Sequence, residues 1–255
     1  MMDSPTLNLI QAHASVRRYK PDPVLDSVVE RIVRAGQRAS TSSNMQTYSV
    51  IATTNAEKRI ALSKIAGGQK HVAQAPLFLT WCADRFRLEL ACQFRGYTQN
   101  INTMENFLVA VIDASLAAQN AALAAESLGL GICYIGAIRS APAAVIDLLE
   151  LPKGVFPITG MTIGYPVAEK RPRPRLPQET ILHWEKYNQN QTEALLAYDQ
   201  AMIKTGIYKD RQVPVPNKKS KTENYGWMEH TARRVSQEIR SELRAVIESQ
   251  GFGLK

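Results

Sequence analysis

The sequence is poor in the residues that usually build metal or disulfide sites. Its three cysteines, Cys82, Cys92 and Cys133, have no CxxC spacing and cannot all pair, so we expect reduced thiols. The four histidines are scattered, and no HExxH motif indicates a metal site. A GxSxG nucleophile elbow and a GxxxxGK(S/T) phosphate loop are also missing. These absences argue against a hydrolase or a metalloenzyme and imply that any chemistry comes from a cofactor.

The N-terminus has no basic flank followed by an apolar core, so we expect no signal peptide and a cytoplasmic protein. The chain is basic, with 31 Lys and Arg against 23 Asp and Glu, and residues 169–255 hold 16 of the former and 11 of the latter. Such a surplus attracts anions. One open alternative is a nucleic-acid-binding protein that uses residues 169–221, although this stretch lacks interleaved aromatic residues and a groove-reading motif.

The chain is organised around residues 106–139. As far as about Leu128 this segment is apolar on almost every face, which is typical of a core helix or a membrane span. Asp113 and Glu126 fall inside it, and its many alanines favour a helix but add little membrane affinity, so we predict a core helix and no membrane contact. Gly129 and Gly131 are expected to end this helix, and 132–138 to form a short buried strand.

The remaining segments alternate between helical and strand patterns, which predicts an α+β or α/β fold. We treat the chain as one domain, with a core of residues 1–168 and a basic strip and C-terminal arm in residues 169–255. The predicted helices are 4–14, 26–39 with Asp26 as its cap, 56–65, 142–149, 190–204 and 228–249. The predicted strands are 48–53, 77–83 and 156–163, and 85–105 is expected to be irregular or weakly helical.

Five segments, in this order along the chain, resemble the flavin-dependent nitroreductase family in its branch of NADPH-dependent nitroreductases and flavin reductases. They are HASVRRY, ASTSSNMQ, GGQKHVAQAP, AAQNAALAAESLGLGICYIGAIR and PRPRLP. The resemblance implies an α+β fold with a central mixed, mainly antiparallel sheet flanked by helices. It also implies a homodimer with the long central helix at its interface and a wrapping C-terminal arm.

The resemblance further implies bound FMN as cofactor, NADPH as electron donor and small-molecule electron acceptors such as nitroaromatics, quinones or free flavins. Hydride would pass through N5 of FMN in a ping-pong cycle, with no catalytic side chain. A flavin carrier or redox sensor without significant turnover is the other open alternative.

By the same resemblance, candidate residues follow for each part of FMN and for NADPH. Arginine forks suit a phosphate, and a glycine allows close approach of backbone to a flat ring. The residues assigned to the phosphate and ribityl end are His13, Ser15 and Arg17, closed over by Arg173 and Arg175. Those assigned to a flavin bound chiefly by the other subunit are Thr41, Ser42, Ser43 and Asn44. Those assigned to the ring are Gln69, Tyr134, Ile135, Gly136 and Ala137, and those assigned to the NADPH phosphate are Arg211 and Lys218.

Overall fold

The structure, a computed structural model, describes residues 4–168, 172–214 and 222–255. Lys218 therefore lies outside the described residues. The helices are α1 (Pro5–Gln11), α2 (Asp26–Gly36), α3 (Ala56–Ile65), α4 (Lys70–Gln74), α5 (Phe86–Arg95), α6 (Met104–Ser127), α7 (Pro142–Leu149), α8 (Thr192–Lys204), α9 (Trp227–Val235) and α10 (Leu243–Ser249). The strands are β1 (Tyr48–Thr53), β2 (Leu77–Asp84), β3 (Gly131–Ile135), β4 (Val155–Gly164), β5 (Gln212–Pro214) and β6 (Thr222–Asn224).

Two compact units divide the chain. The first unit comprises Met1–Arg171 and Arg240–Lys255, and the second comprises Pro172–Ile239. The last helix, α10, therefore belongs to the first unit.

A four-stranded sheet in the order β1-β2-β4-β3 forms the centre of the first unit. Each neighbouring pair of these four strands is antiparallel, and β2 is buried along its whole length. Strands that are buried on both faces need helices on either side of the sheet. The α+β fold expected from the resemblance is confirmed.

Helix α6 is the main core helix of the first unit. Its inward face is built of small residues, with Ala110, Ala114, Ala117, Ala118, Ala121, Ala122 and Ala125 buried. These alanines let α2 approach closely: a Cβ added to Gly36 of α2 would lie 2.9 Å from the carbonyl oxygen of Ala117. By length and composition α6 could cross a membrane, yet it packs against α2 and β2 as a core helix does.

The opposite face of α6 carries an apolar stripe that nothing in the described chain covers. Its members follow helical i, i+4 spacing and are each more than 40% exposed: Met104, Leu108, Ile112 and Leu116. A contiguous exposed apolar stripe of this kind usually marks an interaction surface.

Three predicted elements were wrong in detail. Asp26 does not cap α2, because Leu25 holds the cap position without a side-chain bond and Asp26 is already helical. The strand expected over 132–138 ends at Ile135, and the chain continues as a 3-10 turn from Gly136 to Ser140. The helix expected over 228–249 is two helices, because Arg240 between them has a left-handed backbone with φ of 59°.

The second unit contains α8, the antiparallel pair of strands β5 and β6, and α9. Tyr198 of α8 packs edge-on against Trp227 of α9, with 5.2 Å between ring centroids. Asp199 of α8 accepts a 2.7 Å hydrogen bond from the backbone N–H of Met228, which satisfies one of the free amides in the first turn of α9.

Candidate functional site

The first loop, residues 13–19, runs along β3 and turns alternate side chains outward. The backbone N–H of Val16 donates to the carbonyl of Ile132 at 2.8 Å, and the Tyr19 hydroxyl bonds to Thr162 Oγ1 at 2.7 Å. Val16 is buried so closely that a Cβ on Gly131 would lie 2.5 Å from it. This register leaves the side chains of Ser15 and Arg17 exposed.

His13, at the start of the first loop, is held by a buried carboxylate. Its Nδ1 lies 3.1 Å from both carboxylate oxygens of Glu126, whose side chain is only 1% exposed. Glu126 stands near the C-terminal end of α6. Because a buried carboxylate needs polar partners, this pairing fixes the orientation of the imidazole. The opposite ring nitrogen, Nε2, is the one left for a ligand.

Gln69 lies in the turn that precedes α4. Gln69 donates from Nε2 to the Ala66 carbonyl at 2.9 Å, so its amide oxygen is left to face a ligand. Burial lowers the pKa of the neighbouring His71, and the positive charge of Arg17 lowers that pKa further.

The end of β3 and the turn after it form a third segment. Tyr134, Gly136 and Ala137 are half-buried, and Ile135 is buried. The Gly136 carbonyl accepts a 3.1 Å hydrogen bond from Arg240 Nη2, which fixes the backbone of the turn. Burial raises the pKa of the Tyr134 hydroxyl, and the negative charge of Glu126 raises it further, so this side chain stays neutral.

The second loop, residues 41–47, presents small polar side chains in an unusual backbone conformation. Thr41 is half-buried, while Ser42, Ser43 and Asn44 are exposed. Ser43, Asn44 and Gln46 have φ angles of 47°, 56° and 54°. Asp113, in the middle of α6, binds both ends of this loop.

The two loops are far apart within one chain. Glu126 binds His13 of the first loop, and Asp113 binds the second loop. These two carboxylates are thirteen positions apart on α6 and thus about 20 Å apart along its axis. One chain therefore brings His13, Ser15 and Arg17 together with the first residues of β3, but does not add residues 41–44 to the same end of the site. That the second loop serves a flavin held mainly by another subunit stays a prediction.

The remaining candidate residues lie in the second unit. Arg173, Arg175 and Arg211 are exposed there. The Arg211 guanidinium carbon lies 5.6 Å from the centroid of the Tyr225 ring, and that of Arg233 lies at the same distance. The contribution of these arginines to a flavin or coenzyme site stays a prediction.

The donor set of the first unit fits FMN. Within the described ranges no carboxylate pairs with Arg17, so its guanidinium is available for a phosphate, beside the Ser15 hydroxyl and the oriented His13. Gly136 and Ala137 are half-buried, and a glycine allows a flat ring to approach the backbone closely. In the part of the chain that the structure describes, no cluster of His, Cys, Asp and Glu could hold a metal ion.

Comparison with known proteins identifies the family. The model of the nitroreductase family matches residues 10–165, and that of the nitroreductase family C-terminal domain matches residues 173–255. The chain belongs to the nitroreductase family.

Individual relatives match over almost the whole chain. The chain is 38% identical to "FMN reductase [NAD(P)H]" of Bacillus subtilis, with 94% of each chain covered. It is 35% identical to "Oxygen-insensitive NADPH nitroreductase" of Salmonella typhimurium, with 99% of this chain and 100% of the relative covered. The solved structure of the NADPH:FMN oxidoreductase from Vibrio harveyi complexed with NAD+ superposes with a TM-score of 0.87 at 30% identity. That match covers 99% of this chain and 100% of the Vibrio chain.

Sequence reasoning named the residues that could touch FMN but missed those that hold them in place. Asp113, Glu126 and Arg240 were not assigned to the site. A signal for the first two was present, because a lone carboxylate within an alanine-rich core helix must have a polar partner. The identity of that partner was not readable, since Glu126 pairs with a residue 113 positions away.

Proposed function

We propose that this protein is an FMN-dependent NAD(P)H oxidoreductase that reduces nitroaromatics, quinones or free flavins. The observation that carries the proposal is the first loop, where the exposed Arg17 and Ser15 follow a carboxylate-held His13 beside the first residues of β3 and supply donors suited to a phosphate. The names of the relatives support the same cofactor and electron donor. The nucleic-acid-binding alternative is not favoured, because the family models also cover the basic stretch from residue 173.

The chain's own residues bind and orient rather than carry protons. Arg17, Ser15 and His13 hold the phosphate end, and Gln69 meets the polar edge of the ring. When bound, FMN supplies reversible hydride transfer at N5, chemistry that side chains do not provide. The turn at Gly136 and Ala137 aims backbone polar groups at the ring, while Arg173 and Arg175 are proposed to close over the phosphate end. Donor and acceptor occupy one position in turn, which gives ping-pong kinetics.

The working unit in this proposal is a cytoplasmic homodimer. The exposed stripe of Met104, Leu108, Ile112 and Leu116 supplies an apolar face on α6 for a second copy. Dimerisation would also bring the second loop of one subunit to the flavin of the other, and the separation of about 20 Å between Asp113 and Glu126, which anchor the two loops, supports this arrangement. NADPH is the proposed donor, with Arg211 and Lys218 as the residues for its extra phosphate.

The visible spectrum of the purified protein, before and after anaerobic NADPH, tests the proposal. We expect a yellow protein whose flavin bands bleach on addition of NADPH, and steady NADPH oxidation when a quinone is supplied. Bleaching without turnover on any acceptor would favour the flavin-carrier alternative. A protein that stays colourless with added FMN would refute the function.

A further inference from the structure

We propose that Asp113 is a positioning residue, which holds the second loop in the backbone conformation that presents Ser43 and Asn44 to the flavin. The inference rests on the proposed function and assigns a role to a residue outside the cofactor-contacting set. It starts from the carboxylate, which is buried in the core of the first unit with only 1% of the residue exposed.

Asp113 binds the second loop at both of its ends. Oδ1 accepts the backbone N–H of Ser42 at 3.0 Å. Oδ2 accepts the backbone N–H of Thr47 at 3.0 Å and the Thr47 hydroxyl at 2.8 Å. Among the described residues no Lys, Arg or His forms an ion pair with this carboxylate, so its charge is stabilised by these donors. Both carboxylate oxygens of Asp113 therefore serve to hold the second loop.

The backbone between these two anchors is strained. Ser43, Asn44 and Gln46 have positive φ angles in the left-handed region, which a residue with a Cβ adopts only at a cost. Asparagine tolerates this region better than most residues, but glutamine and serine gain less from their side chains there. Such conformations persist when the surroundings over-determine them, and they cluster at ligand-binding sites.

The second loop can keep a strained backbone only if its anchor does not move. Asp113 stands on α6, whose alanine face is buried against α2 and the sheet, so the carboxylate cannot follow a loop that relaxes. Near the far end of the loop, Arg87 donates to the carbonyls of Gln46 at 2.9 Å and Tyr48 at 2.5 Å. The strained turn at Ser43 and Asn44 lies outside that second clamp. Within the loop it is closed by the Met45 N–H, which donates to the Ser42 carbonyl at 2.9 Å, and Asp113 anchors it to the core through Ser42.

The main test is Asp113→Asn, measured as FMN binding by the apoprotein through flavin fluorescence quenching. The asparagine keeps the shape of the side chain but sets an amide N–H₂ against one group of donors, so at least one anchor is lost. We expect the FMN dissociation constant to rise about tenfold or more. The visible circular dichroism of the flavin that still binds should also change, because the loop no longer faces it in one arrangement.

Two double variants distinguish a positioning role of Asp113 from general damage to the fold. Gln46 is outside the proposed flavin contacts, and glycine adopts its φ of 54° without penalty whereas alanine does not. We expect the double variant Asp113→Asn with Gln46→Gly to regain several-fold of the lost FMN affinity. The double variant with Gln46→Ala should regain none. Equal affinities for these two double variants would overturn the inference, since a purely structural carboxylate predicts no such difference.

Two further measurements keep the test decisive. If Asp113→Asn does not fold, Thr47→Val removes only the 2.8 Å hydroxyl bond and should still weaken FMN binding by a smaller factor. Wild-type protein that binds no FMN would refute the proposed function and the inference with it. Wild-type protein that binds FMN while folded Asp113→Asn binds it equally well would refute the inference alone.

Discussion

The two units present their candidate site residues in different ways. In the first unit His13, the second loop and Gly136 are each fixed by a hydrogen bond with a side chain elsewhere in that unit. In the second unit Arg211 is exposed and packs beside the Tyr225 ring. A fixed site loses less entropy on binding and suits a cofactor that stays bound. An exposed cation suits a coenzyme that must leave after each turnover.

The largest effect on FMN affinity is expected from the pair of His13 and Glu126, which fixes the start of the first loop. Replacing Glu126 by Gln removes the charge that orients His13, and hydrogen bonds to charged groups contribute about 1.5–3 kcal/mol. We expect the FMN dissociation constant to rise about tenfold or more. Riboflavin, which has no phosphate, should lose less affinity. Fluorescence titration of the apoprotein with both flavins measures the difference.

The matched control for Glu126→Gln is the same change in a His13→Gln background. If the carboxylate acts through His13, it should have little further effect on FMN binding there, which a double-mutant cycle would reveal. An equal loss of affinity for FMN and riboflavin would mean that Glu126 stabilises the fold and not the phosphate end.

A smaller and more selective effect is expected from the second unit. Replacing Arg211 by Ala should raise the Michaelis constant for NADPH several-fold more than that for NADH, because only NADPH carries the additional phosphate. Arg233→Ala is the matched control, since Arg233 lies 5.6 Å from the same Tyr225 ring but also pairs with Glu229. It should change both constants alike. If Arg211→Ala also acts equally on both coenzymes, the phosphate assignment is wrong.

Much of the fold was predictable from local pattern. The bounds of β1, α3 and α7 match the predicted 48–53, 56–65 and 142–149, because residues that favour turns and helix starts border them: Asn55 caps α3 and Pro142 opens α7. The break between α9 and α10 was not predictable in this way. No proline or glycine marks it, and the left-handed backbone at Arg240 accompanies a contact with Gly136, 104 positions away.

The candidate site likewise has a part that was predictable from the sequence and a part that was not. Arg17 and Ser43 were recognisable as ligand-binding types by their chemistry and by the resemblance of their segments to the family. The role of Asp113 depends on Ser42 and Thr47, which are 71 and 66 positions away from it. Pairing over such distances is decided by packing, which a single sequence does not display.

The smallest expected effect concerns the junction of the first loop and α4. Burial lowers the pKa of His71, and Arg17 lowers it further, so folded protein binds a proton there less readily than unfolded chain. The stabilising contribution is therefore complete above the unfolded pKa of about 6.5 and is lost as pH falls through the lower folded pKa. His71→Gln should flatten the decline in unfolding free energy between about pH 7 and pH 5.

Arg17→Ala tests whether this effect reports on the proposed phosphate-binding end. It removes the neighbouring charge but leaves His71 buried, so it should flatten the same decline only in part. Urea unfolding of the apoprotein at several pH values measures both variants. A decline that is unchanged in Arg17→Ala would place Arg17 too far from His71 to share a site with it. A decline that is partly flattened would show that the charge of Arg17 acts on His71 in α4. Because Gln69, the residue proposed to contact the flavin ring, immediately precedes α4, this result would support one continuous surface for both ends of the cofactor.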